Sequence, residues 1–258
     1  MPINLQVEQL AIGYRSGKKP TVIANNLNFR IQAGELTAIV GVNGIGKSTL
    51  LRTLGRIQPE LEGSITLDEK PLSAYAVREL SRKIGVVLTE PLSTRNITVR
   101  ELIALGRQPY TNWIGNLSQA DRQRINEVIA LMELESLKNK KCFELSDGQL
   151  QKALIARALA QDTDLLLLDE PTTHLDLYHK VQILKTLQQV AHSAQKMIIF
   201  TTHELDLAIQ LCDRMLIIGP NGHYFGEPCE LIADKNFDTL FPSDLVRFDA
   251  HTGTFKIQ

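Results

Sequence analysis

The chain has 258 residues, 43% of them hydrophobic and 22% charged, with a formal net charge of −1. That composition is ordinary for a globular protein and sets aside bulk disorder; the length suits one large domain or two modest ones. The near-zero charge argues against a bulk electrostatic affinity for nucleic acid, which shows as a strongly basic domain.

No run approaches the ~18 consecutive apolar residues of a membrane span. The densest, Leu165 to Leu168, stops at Asp169 and Glu170. The opening MPINLQVEQL has no basic stretch ahead of an apolar core, so no export signal is expected. Cys142, Cys212 and Cys229 are widely spaced and odd in number. They build neither a metal motif nor a disulfide framework, and they read as free thiols of a reducing cytosol.

In chain order, Ile3, Leu5 and Val7 alternate with polar residues, as does Leu27 to Ile31, so the first 40 residues read as strands. Ala33-Gly34 makes a turn, and Glu35 to Val40 runs as an apolar strand into a glycine-rich loop. Lys47 to Gly55 reads as a helix, with Gly55 and Pro59 as stops. A short strand follows at Gly63 to Leu67, then a turn at Asp68 to Pro71. The middle is helical: Val99 to Arg107, a helix capped by Ser118 and Asp121 that runs through Leu134, and a third from Ser146 to Ala160. Leu165 to Leu168 and Met197 to Thr201 are short and uninterrupted, as central strands of a parallel sheet are. A helix over Leu177 to Ala191 separates them, and Met215 to Ile218 is a last core strand. Beyond Gly219 the signals weaken to two hairpin turns, at Asn221-Gly222 and around His251 to Gly253.

Two segments carry chemistry. GVNGIGKST, 41 to 49, fits the phosphate-binding loop template with Gly41, Gly44, Gly46, Lys47 and Ser48, between a strand and a helix. Glycines let successive N–H groups approach phosphates closely, and the helix start adds its positive dipole end. Lys47 reaches the β- and γ-phosphates, and the Ser48 hydroxyl suits Mg²⁺. LLLLDE, 165 to 170, ends a buried strand in two acids. Asp169 suits a contact to Mg²⁺ and Glu170 suits polarisation of an attacking water. Together they point to ATP as substrate.

LSDGQ at 145 to 149, some 20 residues ahead of LLLLDE, brings the resemblance into view. Kinases and GTPases with a phosphate loop lack such a segment. Across nearly its first 220 residues the chain resembles the ATP-binding cassette family. The resemblance implies an α/β fold: a P-loop NTPase core with a largely parallel sheet, an antiparallel β subdomain and an inserted helical subdomain. The ATPase domain would span 1–220, with the helical subdomain at about 91–160. Residues 221–258 form a C-terminal extension to which no role is assigned.

Site residues carry over by position. The loop Gly41, Val42, Asn43, Gly44, Ile45, Gly46, Lys47, Ser48 and Thr49 would hold ATP. Tyr14 matches the ring that stacks on adenine, and Ser48 and Asp169 would serve Mg²⁺. Glu170 and His203 match the catalytic glutamate and the switch histidine at the γ-phosphate. Ser146, Asp147, Gly148 and Gln149 would face ATP bound to a second copy, with Ser146 and Gln149 also forming a helix capping box. Asp176 matches the loop that crosses the dimer interface. Two positions depart: Asp147 replaces the usual glycine, and Glu90 replaces the usual glutamine, where it would join Ser48 and Asp169 in ligating Mg²⁺, directly or through one water, when ATP is bound.

Within the family, NITVRELIALGRQPY (96–110) and EPTTHLDLYHKVQIL (170–184) resemble ATPases of importers of iron complexes, siderophores, haem and cobalamin. That implies a head-to-tail dimer at the cytoplasmic face of the inner membrane. Its partners would be polytopic permease subunits and, indirectly, a solute-binding protein, with no nucleic acid. The alternatives are a cassette protein of DNA repair or translation, which usually carries two cassettes or a long coiled-coil insertion, and a non-hydrolysing regulatory binder, suggested by Glu90 and Asp147.

Overall fold

A computed structural model describes residues 3–16, 19–90, 92, 94–173, 175–220, 222–240, 246–249 and 252–257. Pro91, His174, Asn221 and His251, which figure in the sequence expectations, lie outside the described residues. The chain opens with a long antiparallel hairpin, β1 (Asn4–Ser16) and β2 (Lys19–Gln32). Strand β3 (Leu36–Gly41) leads into helix α1 (Lys47–Leu54). Strands β4 (Glu62–Leu67) and β5 (Lys70–Pro71) return to the first hairpin, giving a four-stranded antiparallel sheet in the order β2-β1-β4-β5. Helix α2 (Val77–Lys83) then feeds β6 (Ile84–Val87).

Three helices follow: α3 (Val99–Ala104), α4 (Gln119–Leu131) and α5 (Asp147–Gln161). The chain then alternates through β7 (Leu165–Leu168), α6 (Leu177–Ala194), β8 (Met197–Thr201), α7 (Leu205–Leu211) and β9 (Arg214–Gly219). Strand β10 (Gly222–Gly226), helix α8 (Pro228–Ala233) and a hairpin of β11 (Val246–Asp249) and β12 (Thr254–Ile257) complete it. The main sheet has the order β10-β9-β3-β8-β7-β6. It is parallel except where β10 turns back on β9. Since β6 and β7 are direct neighbours, α3 to α5 form an excursion between adjacent strands.

The main sheet is apolar on both faces because each face has its own core. Ile39, Leu165, Leu167, Ile199, Leu216 and Ile218 point to one face, where they meet Leu50, Leu51 and Leu54 of α1 and the inner face of the antiparallel sheet. Ala38, Val40, Leu166, Leu168, Ile198, Phe200 and Ile217 point to the other, beneath α5 and α6. The period-two alternation of strand side chains thus divides one sheet between two cores.

Helix ends follow local chemistry. The expected helix from Val99 to Arg107 is α-helical only to Ala104, then tightens into a 3-10 stretch through Tyr110. Pro109 removes one donor and crowds the carbonyl four residues back. Helix α4 stops at Leu131, short of the expected Leu134, because Glu133 adopts a left-handed φ of 56°. The C-terminal hairpin is docked by Phe248, whose ring stacks on the fully buried Phe237 at 4.8 Å.

Candidate active site

The carboxyl ends of β3, β7 and β8 lie side by side and carry the chemistry-bearing residues, the usual place for a ligand on an open α/β sheet. Beyond β3, the loop turns through Gly44 (φ 78°) and Gly46 (φ 111°) into α1. A Cβ on Gly46 would stand 2.5 Å from Ile23 Cγ2, so glycine is needed there for space as well as for conformation. No side chain caps the start of α1. Its first N–H groups are therefore the unsatisfied donors a helix start offers to an anion. Lys47, only 6% exposed, curls back and donates from Nζ to the carbonyls of Gly41 (2.9 Å) and Val42 (3.2 Å). Burial pushes its pKa down, while Glu170 and Asp169 nearby oppose that shift.

Asp169 and Glu170 follow β7 directly. The Ser48 hydroxyl donates to Asp169 Oδ1 at 3.0 Å, and the Thr201 hydroxyl donates to the same oxygen at 2.7 Å. Glu170 is held at both carboxylate oxygens: His203 Nε2 lies 2.8 Å from Oε1, and the Thr173 hydroxyl donates to Oε2 at 3.0 Å. An ionised carboxylate only accepts, so Nε2 carries the proton of the histidine contact. The structure thus brings Lys47, Ser48, Asp169, Glu170 and His203 to one edge. Thr173 and Thr201 were missed in the sequence. Thr201 ends β8, the strand beside β7, with Leu168 opposite Phe200, and this pairing brings its hydroxyl to Asp169.

Tyr14 is half exposed, and its hydroxyl lies 3.0 Å from Thr49 Oγ1, which sets an open ring beside the glycine-rich loop. Glu90 is exposed and pairs with Arg52 of α1 at 3.1 Å. Arg52 is one helical turn beyond Ser48, so α1 supplies the compensating cation for the extra acid.

Ser146, Asp147, Gly148 and Gln149 form a second cluster. Ser146 and Gln149 cap α5 reciprocally, the Gln149 N–H donating to Ser146 Oγ and the Ser146 N–H to Gln149 Oε1. Asp147 is exposed. Gly148 lies so close to Leu175 that a Cβ would approach its Cδ2 to 2.8 Å. Asp176 caps α6, accepting from the backbone N–H of His179 and pairing with its ring Nδ1. Ser146, Gly148, Asp176 and His179 border one cavity of about 570 Å³. These groups sit on α5 and α6, apart from the loop at Gly41 to Ser48.

Comparison with known proteins agrees with this geometry. The ABC transporter family model matches residues 24–173. A petrobactin import ATP-binding protein of Bacillus anthracis is 34% identical over 92% of this chain and 86% of its own length. The ferric enterobactin transport ATP-binding protein of Escherichia coli is 36% identical over 83% of this chain and 78% of its own. Among solved structures, a metal-chelate type ABC transporter in an inward-facing conformation superposes with a TM-score of 0.79 at 30% identity. It covers 93% of this chain and 89% of that one. A dimeric ATP-binding cassette in a post-hydrolysis state with ADP and phosphate gives 0.72 at 28%, over 83% and 94%. The chain belongs to the ABC transporter family, as an ATP-binding and ATP-hydrolysing protein. Among the described residues no helix is long and apolar enough to cross a membrane.

Proposed function

We propose that this chain energises uptake of an iron complex, a siderophore or haem, or else cobalamin, through separate membrane permease subunits. It acts as a head-to-tail dimer at the cytoplasmic face of the inner membrane. Residues up to 220 make the ATPase domain, and the helices from about 91 to 160 are the part that moves against the core. The observation that carries the catalytic half is Glu170, held by His203 and Thr173 beside the Ser48–Asp169 pair. The cargo reading is supported by relatives whose names specify petrobactin, enterobactin and iron(3+)-hydroxamate.

Hydrolysis here is positioning and electrostatics more than covalent chemistry. Lys47 leaves its two loop carbonyls for the phosphates, keeping a cation in a buried place where charge interactions are strong. Glu170 polarises the attacking water and receives its proton. His203 turns its Nε2 proton from Glu170 to the γ-phosphate. Tyr14 stacks on the adenine, and stacking on a flat ring tolerates any base. The Ser48 hydroxyl and the Asp169 carboxylate are hard oxygens meeting at one point, a donor set that suits Mg²⁺ bound together with nucleotide phosphates. When bound, Mg²⁺ supplies neutralisation of the phosphate charge. From the second copy, Ser146 and Gly148 at the start of α5 complete the γ-phosphate cradle, and Asp176 crosses the interface.

Affinity purification from membranes tests the transport role. A polytopic permease should come down with this chain and raise its phosphate release when a loaded solute-binding protein is added. Recovery with ribosomes or DNA-repair proteins and no permease would overturn it.

A further inference from the structure

We infer that Thr201 is a positioning residue that ties the two carboxylates of the site into one unit. The inference rests on the roles proposed above for Asp169 and Glu170. Thr201 ends β8 and is fully buried. A buried hydroxyl without partners is costly, and this one has two. It donates to Asp169 Oδ1 at 2.7 Å and accepts from the backbone N–H of Glu170 at 2.9 Å.

Both contacts matter for geometry. Glu170 has a φ of 47°, the left-handed region that a residue with a side chain rarely adopts. The Thr201 oxygen anchors that N–H and so fixes the direction in which the Glu170 carboxylate leaves the strand end. The donated bond, with the one from Ser48, lands on Oδ1 of Asp169. Among the described residues this leaves Oδ2 as the oxygen not engaged by a hydroxyl. A β-branched side chain has few rotamers, so threonine holds its hydroxyl more firmly than serine would. Neither contact is made by Thr202, whose hydroxyl instead accepts from the N–H of Glu204.

Thr201→Val keeps the shape and removes the hydroxyl; Thr201→Ser keeps the hydroxyl and removes a methyl. ATP affinity should hold in both. Turnover in Thr201→Val should fall by about 10- to 10²-fold, the scale of a small misplacement of catalytic groups. Thr201→Ser should recover most of that turnover although its lost methyl lowers the melting temperature. In nucleotide-free protein, the Glu170 amide should exchange faster with deuterium in Thr201→Val and near the parental rate in Thr201→Ser. If Thr201→Val does not fold, Thr201→Ala makes the same comparison. Parental turnover and parental Glu170 exchange in the hydroxyl-free variant would overturn the inference. So would losses that follow melting temperature across the variants rather than the hydroxyl. A Glu170→Gln variant run alongside separates the two ideas. Full turnover there removes the proposed role of Glu170, whereas an inactive Glu170→Gln with a fully active Thr201→Val removes only the role of Thr201.

Discussion

Glu170 is the residue on which turnover depends in this account. Removing its charge while keeping its shape should separate binding from chemistry. Glu170→Gln is expected to bind ATP normally and to lose at least about 10²-fold in steady-state phosphate release, the scale of a lost general base. Near-normal release would take Glu170 out of the role. Glu90 gives a second test at this scale. It pairs with Arg52 on the helix that carries Ser48, and if it serves the proposed Mg²⁺ site its charge there is partly neutralised. Glu90→Gln should keep hydrolysis and shift its Mg²⁺ dependence to higher concentration; an unchanged titration would return Glu90 to a surface acid paired with Arg52. Much of the site was legible because its motifs are local. The glycines, Lys47 and Ser48 sit in one loop, and Ser146 with Gln149 is a capping box readable from spacing alone. Thr173 and Thr201 were not read, since a threonine near an acid in sequence, or at a strand end, announces nothing until the sheet brings it within hydrogen-bond distance.

At the scale of elements, the helical excursion is pinned by a buried ion pair. Arg107 Nε donates to Asp121 at 2.7 Å and its Nη1 to the Ala160 carbonyl at 2.8 Å, joining the 3-10 stretch to α4 and α5. Both side chains are almost fully buried. Asp121→Ala leaves the arginine charge without its partner and removes the carboxylate half of the α4 capping box, so it should cost about 3–5 kcal/mol. Equilibrium urea unfolding would measure this, and a cost under about 1 kcal/mol, the worth of an exposed pair, would contradict it. The joint between the two sheets has its own pH dependence. His223 of β10 accepts from the Asn28 N–H of β2 at 3.2 Å, which requires a neutral ring nitrogen, and burial pushes its pKa down from 6.5. With the folded value below the unfolded one, this stability is present above about pH 6.5 and is lost as pH falls through the folded value. Thermal melts should show the acid-side loss in the parent and a flatter profile in His223→Gln. Identical profiles would exclude the contact as its source.

The long periodic helices α5 and α6, and the unbroken apolar run of β7, were readable from the sequence. The first hairpin was less so, because bulges around Gln9 (φ 48°) bury Leu10, Ala11 and Ile12 in succession and break the alternation that marks a strand. Helix α2 buries only Leu80, and α8 is six residues long, so neither has the stripe that periodicity detects. The signal for α8 was instead a cap, Glu227 with Pro228 and Glu230.

At the scale of the whole molecule, the strand-end site and the start of α5 belong to separate elements, yet both offer groups suited to phosphate. In the proposed reading one chain carries two halves of a nucleotide site, and a head-to-tail pair of chains would make two complete ones. A structural neighbour at 28% identity is a dimeric ATP-binding cassette, so a pair of chains has a precedent in this architecture. The most direct test mixes two inactive variants, Lys47→Ala, which damages the strand-end half, and Ser146→Arg, which blocks the α5 half. In a mixed dimer one composite site carries both lesions and the other carries neither. Phosphate release should reappear on mixing, in proportion to the mixed dimer formed. Verified mixed dimers that remain as inactive as either parent would contradict the shared site.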